Sequence, residues 1–266
     1  MQQSDILQRE LGGDGILRLT MTDEARRNAL SEAMMEALGA AFAEAGADPS
    51  VRVVILAANG RAFCAGHDLK EMTAGRAAPD RGRAYFAKVM AQCSGVMQGI
   101  VNCPRPVIAQ VDGVATAAGC QLVASCDLAV AADTAQFGTP GVHIGLFCST
   151  PMVALSRNVA NKHAMEMLLT GDMIPASRAA EIGLINRAVA PEGLPEATLE
   201  MARKIASKSS MTLATGKRAF YAQREMPLAE AYAYASEVMV ENMLAHDAEE
   251  GIGAFIEKRA PQWQDR

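Results

Sequence analysis

Two runs of small residues hold the residue types best suited to chemistry in this chain: Phe63-Cys64-Ala65-Gly66-His67-Asp68-Leu69 and, further along, Ala117-Ala118-Gly119-Cys120-Gln121. Each follows an apolar, β-branched segment, where a chain leaves a strand and its backbone N–H groups are not yet paired within a helix. Two such groups converging on one carbonyl oxygen form an oxyanion hole, which stabilises charge developing on an enolate or a tetrahedral intermediate. Taken singly, each run also reads as a turn that lets a helix pack tightly on a strand.

The elements that must position these turns follow from periodicity. Ile16 to Met21 mostly alternates apolar with polar and reads as a strand, and Gly12-Gly13-Asp14-Gly15 before it signals a hairpin. Ser31 caps a helix through about Ala47, and Val51 to Ala57 is a β-branched run that fits a buried strand. The unit recurs: a helix over Arg81 to Val101, the strand Val107 to Val111, a short helix from Gly119 to Ser125 and the strand Asp127 to Ala131. Strands alternating with helices imply an α/β fold with parallel strands. From Ser149 the strand signal nearly vanishes, apart from Ile185 to Val189, and helical patterns continue to Lys258. Met201, Met211, Met226, Met239 and Met243 in this region read as core packing, with some of the apolar surface facing another subunit.

With 266 residues, half of them hydrophobic, the chain can bury a sizeable core. A net charge of -5 provides no basic footprint for nucleic acid or an acidic membrane surface. The six cysteines lie in apolar or Ala-rich runs without paired C-x-x-C spacing, so neither a zinc site nor a disulfide framework is expected. Met1 to Asp5 shows no charged region leading into an apolar one, and no apolar run reaches membrane-spanning length. These features together predict a cytoplasmic protein.

Several short motifs in order resemble the crotonase superfamily, the enoyl-CoA hydratase/isomerase family. They are Arg27 to Leu30, Phe63 to Met72, Pro104 to Ala109, Gly119 to Asp127, Phe137 to Pro140, Leu169 to Gly171, Ala180 to Leu184 and Gly251 to Pro261. The resemblance implies a spiral of ββα units over residues 1–200, carrying an acyl-CoA site. It also implies a C-terminal helical oligomerisation and lid region over 201–266, and a homotrimer or hexamer. The implied ligand is an acyl-CoA thioester; no tightly bound cofactor or metal is expected, coenzyme A entering as part of the substrate. Carried over residue by residue, the backbone N–H groups of His67 and Ala118 form the oxyanion hole. Arg27, Ala65, Asp68, Leu69, Gly119 and Thr139 fall in the substrate-binding set, and Phe255 and Lys258 fall where a C-terminal helix closes over the cofactor. Lys258 also reads simply as a helix-end lysine complementing the dipole.

The chain departs from the family at the proton-transfer positions. Hydration uses two glutamates for general acid-base work, and here those positions hold Gln121 and Gly141, neither of which can transfer a proton. The resemblance to decarboxylase members in the Ala65-Gly66-His67-Asp68 run implies another chemistry, loss of CO2 from a malonyl-type acyl-CoA. A non-catalytic acyl-CoA-binding or scaffold protein is the third alternative. The imidazole of His67 is either functional or simply pocket wall, and His143 is either a substitute proton-transfer group near the vacated position or a structural residue. Cys148 reads as inert packing rather than a nucleophile, and Glu71 and Asp133 read as surface carboxylates.

Overall fold

The computed structural model describes residues 6–266; the N-terminal reading of Met1 to Asp5 lies outside the described residues. Strand β1 (Leu7–Leu11) pairs antiparallel with β2 (Ile16–Met21), the hairpin signalled by the glycines between them. Helix α1 (Glu32–Ala47) starts where expected, the Ser31 hydroxyl accepting from Met34 N at 3.2 Å. Strand β3 (Val53–Ala58) then lies parallel to β2.

From β3 the chain advances as a spiral. Each of β3, β5 (Val107–Val111) and β7 (Leu128–Ala132) joins one sheet and is followed by a three-residue strand that joins another. These short strands are β4 (Ala62–Cys64), β6 (Val114–Thr116) and β8 (Gln136–Gly138). Helices α2 (Leu69–Gly75) and α3 (Arg83–Asn102) follow β4, and α4 (Ala118–Ser125) follows β6. After β8 come a 3-10 turn over Pro140–Ile144, helices α5 (Pro151–Leu155) and α6 (Asn161–Thr170), and the two-residue β9 (Ile174–Pro175). Helix α7 (Ala176–Glu181) then leads to β10 (Arg187–Val189). The large sheet has the order β1-β2-β3-β5-β7-β10 and the small one β4-β6-β8-β9. The small sheet is absent from the sequence reading because three residues cannot display a period of two.

Side-chain alternation places Val54 and Leu56 in the main core with α1 and α3, and Val53 and Ile55 in a second cluster with Ile108 and Ala202. Ala202 belongs to α8 (Leu194–Ala206), so the large sheet is covered on both faces. The boundary drawn at residue 200 therefore cuts a helix whose apolar side packs on the core. Helices α9 (Ser210–Gln223), α10 (Leu228–Met243) and α11 (His246–Glu257) complete the chain. Met239 and Met243, read as core, are 62% and 54% exposed in the single chain.

Candidate active site

The small sheet brings the two small-residue turns together. β4 and β6 are parallel, so the chain leaves both in the same direction and both turns occupy one edge. A Cβ built on Gly66 would lie 3.1 Å from the Ala117 Cβ and 3.5 Å from Ala118 N, and one on Gly119 would lie 2.1 Å from the Cys64 carbonyl oxygen. Glycine at 119 is what lets α4 seat on β4.

In each turn a residue with positive φ precedes the amide of interest. Gly66 has φ of 89°, and Ala117 has φ of 51° with ψ of -117°. The Ala117 conformation suits glycine and costs a residue bearing a Cβ on the order of 1–3 kcal/mol. It is held by Ala117 N donating to Gly138 O at 2.9 Å and by Gln121 N donating to Ala117 O at 3.0 Å. On the other arm, Ala65 N donates to Arg27 O at 3.1 Å and Leu30 N to Gly66 O at 2.8 Å. Residues 27–30 thus run beside the turn like an added strand. The amides of His67 and Ala118 donate to no protein group among the described residues. Two free donors in contiguous turns, with Gly66 and Ala117 between them, suit a single carbonyl oxygen.

At Gly141 there is no room for a side chain. A Cβ at Gly141 would lie 2.5 Å from the Leu146 carbonyl oxygen and 2.8 Å from Cys148 Sγ, and Leu146 N donates to Gly141 O at 2.9 Å. The loop through Leu146 and Cys148 therefore packs directly against the Gly141 backbone. Cys148 is buried and burial pushes its thiol up, which fits packing rather than nucleophilicity. Gln121 is buried one turn into α4, its Oε1 4.0 Å from the Cys93 thiol of α3.

The remaining site residues divide by how their polar atoms are used. Both His67 ring nitrogens are buried without a hydrogen-bond partner. Burial pushes this imidazole below its ordinary value, opposed by the Leu30 backbone. The His143 ring abuts Gly171, where a Cβ would be 2.9 Å from Nε2, at the end of α6. The Asp68 carboxylate caps α2, accepting from Lys70 N at 2.8 Å and Glu71 N at 3.3 Å, and the Thr139 hydroxyl donates to Met167 O at 2.9 Å. Both side chains therefore help to hold the fold. Arg27 and Leu69 are exposed beside the turn, Leu69 at 55%, while Ala65 is half-buried. Phe255 is 85% exposed at the end of α11, and Lys258 adopts φ of 56° as its C-cap.

Two features escaped the sequence. Glu71, read as a surface carboxylate, accepts from Glu32 N at 3.0 Å and so caps α1 from α2. Arg26 bonds Asp23 at 2.7 Å and lies 3.7 Å from both Asp68 and Glu71, tying the cap of α2 to the segment before α1. The Asp68-x-x-Glu71 spacing is a capping signal, but its partner on another element has no sequence signature.

A ββα spiral whose strand-to-helix turns present paired amides is the crotonase fold, and the chain belongs to the enoyl-CoA hydratase/isomerase family, whose sequence pattern matches residues 12–266. It is similar to enoyl-CoA hydratase domain-containing protein 3, mitochondrial, of Rattus norvegicus, with 48% identity over 250 residues covering 94% of this chain and 82% of that protein. The Homo sapiens protein of the same name is also 48% identical, over 94% of this chain and 81% of its own length. Among solved structures, an enoyl-CoA hydratase of Mycobacterium smegmatis superimposes with a TM-score of 0.93 at 51% identity, covering 98% of this chain and 99% of that one. The crystal structure of human enoyl-CoA hydratase domain-containing protein 3 gives 0.91 at 46% identity, covering 97% and 100%. The mitochondrial names of these relatives overturn the cytoplasmic expectation. Six free buried thiols suit any reducing compartment and do not single out the cytoplasm.

Proposed function

We propose that this protein binds an acyl-CoA thioester, grips its carbonyl oxygen with the amides of His67 and Ala118, and stabilises an enolate without the hydratase acid-base pair. The observation that carries this reading is the pair of partner-free amides in contiguous turns, each preceded by a positive φ. The closed space at Gly141 and the amide at Gln121 argue against water addition, since each missing acid-base group is worth roughly 100- to 10,000-fold. Loss of CO2 from a malonyl-type acyl-CoA is the reaction that needs least beyond those amides. The bond from the α-carbon to the carboxylate breaks, its electrons enter the enolate held by the amides, and water protonates the α-carbon. A purely structural role is disfavoured by the strained Ala117, which a scaffold has no reason to keep.

The same reading gives the C-terminal helices a partner. Every residue of α10 is at least partly exposed, and Tyr232, Met239, Val240, Met243 and Leu244 form an apolar surface that fits a homotrimer or hexamer. In that assembly Phe255 and Lys258 cover the cofactor of the same or a neighbouring subunit.

Parallel incubation with crotonyl-CoA and methylmalonyl-CoA, followed by chromatography of the thioesters, tests the chemistry. CO2 release from the second with no appreciable hydration of the first is expected. Hydration of crotonyl-CoA at ordinary enzyme rates would overturn the assignment of Gln121 and Gly141.

A further inference from the structure

Gln121 has two ends with different surroundings. Its Oε1 lies 4.0 Å from the Cys93 Sγ, on the interior side where α3 packs against α4. The thiol is the donor in that contact: burial pushes it up to about 11, so it carries its proton at neutral pH. With Oε1 on that side, Nε2 is the end of the carboxamide left for another partner. Nε2 bonds to no protein group among the described residues, yet it is not among the buried polar atoms left without partners. It is therefore a solvent-reached part of a side chain only 5% exposed. Helical side chains lean toward the helix N-terminus, and residues three apart share a face. The Gln121 carboxamide thus leans toward the end of α4 where the Ala118 N–H is free.

We propose that Gln121 is a hydrogen-bond donor to the acyl group, making this a site that selects acyl-CoA thioesters with an acceptor oxygen on the β-carbon. The inference rests on the acyl-CoA reading above and sharpens it. With the thioester oxygen on the two backbone amides, a donor one helical turn away faces the acyl chain beyond the carbonyl. A saturated or enoyl chain leaves that donor without a partner once water is displaced, whereas a 3-oxo group or a β-carboxylate satisfies it. Cys93 acts as a positioning residue, setting which end of the carboxamide faces the ligand.

Calorimetric titration with butyryl-CoA and acetoacetyl-CoA, and with malonyl-CoA by competition against butyryl-CoA over times too short for loss of CO2, tests this on the full chain. The unmodified protein is expected to bind both β-oxygenated ligands roughly 3- to 10-fold more tightly than butyryl-CoA, the range of one net hydrogen bond. In Gln121→Leu the ratios fall toward one. In Gln121→Glu malonyl-CoA loses most, because two carboxylates then face each other, which separates a carbonyl acceptor from a carboxylate. Cys93→Val frees the carboxamide to turn and lowers the ratios in part. Equal binding of all three ligands by the unmodified protein, or ratios that survive in Gln121→Leu, overturns the inference alone. Failure of all three to bind overturns the acyl-CoA reading and this inference with it.

Discussion

Strand β3 is buried along nearly all of its length, whereas α10, sixteen residues long, has every side chain at least partly exposed. The two regions are held by different forces. The spiral core is closed by apolar side chains on both faces of the large sheet, and burial of that kind has no direction and tolerates adjustment. The C-terminal helices are anchored at a few polar points. Lys217, 8% exposed, donates to Asp127 Oδ2 at 2.6 Å and to the carbonyls of Ile100 and Arg105 at 3.0 and 3.1 Å. Tyr221 donates to the other Asp127 oxygen at 2.9 Å, and Val107 N donates to Oδ2 at 2.7 Å. The C-terminal residues are pinned in the same manner: Asp247 accepts from Gln264 N and Asp265 N at 2.8 and 2.9 Å, and Trp263 donates to Ser207 O at 2.9 Å. Polar anchors fix orientation, while large apolar side chains such as Phe220, Met239 and Ile256 stay exposed in the single chain.

The comparison breaks most sharply at Asp127. Asp127→Ala strands the buried Lys217 ammonium without its counter-charge, and a loss of about 3–5 kcal/mol is expected in urea unfolding. Proteolysis should release α9–α11 before it reaches the core. Should the core be cleaved at the same rate, the two regions are not separately anchored.

A smaller loss is expected inside the core. Gly119→Ala drives a Cβ to 2.1 Å from the Cys64 carbonyl oxygen, so α4 must lift from β4 at a cost of about 2–3 kcal/mol. Because that contact also sets the spacing of the His67 and Ala118 amides, acyl-CoA binding should fall more than tenfold while α9–α11 stay protected from protease. Unchanged binding in a folded variant would show that the turns are not held together by this contact.

The mildest effect is on acidification. Arg259 and the Gln262 amide hold the Glu250 carboxyl well below the usual carboxylate range, at about 2. Burial works against the Asp247 carboxylate, but the Ser209 hydroxyl and the Gln264 and Asp265 amides together keep it below its ordinary value. Both folded values lie below the unfolded ones, so this stabilisation is fully present above the ordinary carboxylate range and is lost as pH falls toward 2. Trp263 is the single tryptophan and packs on Gly251, so its fluorescence reports the docked end directly. Its emission should shift to the red between about pH 4 and 2, ahead of the loss of helical circular dichroism. Simultaneous loss of both signals would mean that the end does not undock on its own.

Much of the site was legible because its signals are local. Two runs of small residues after β-branched segments mark strand-to-helix turns, and the identity of a side chain at 121 or 141 settles whether a carboxylate is present. Other assignments depended on where a side chain's polar atoms end up. Asp68 and Thr139 carry groups that suit a ligand, and in the fold those groups also bond Lys70 N and Met167 O. His143 lies near Gly141 in sequence, yet its ring packs against Gly171.

The sequence by itself determined the long elements, the two turns and the absence of a carboxylate at positions 121 and 141, since each is written in residue type and short-range period. Only the tertiary structure decided that the turns meet. Their meeting depends on strands of three residues, too short to show a pattern, and on contacts between segments some fifty residues apart along the chain. Packing also decided that the loop through Leu146 and Cys148 lies close on Gly141 and leaves no room for a side chain there, because protein interiors are close-packed.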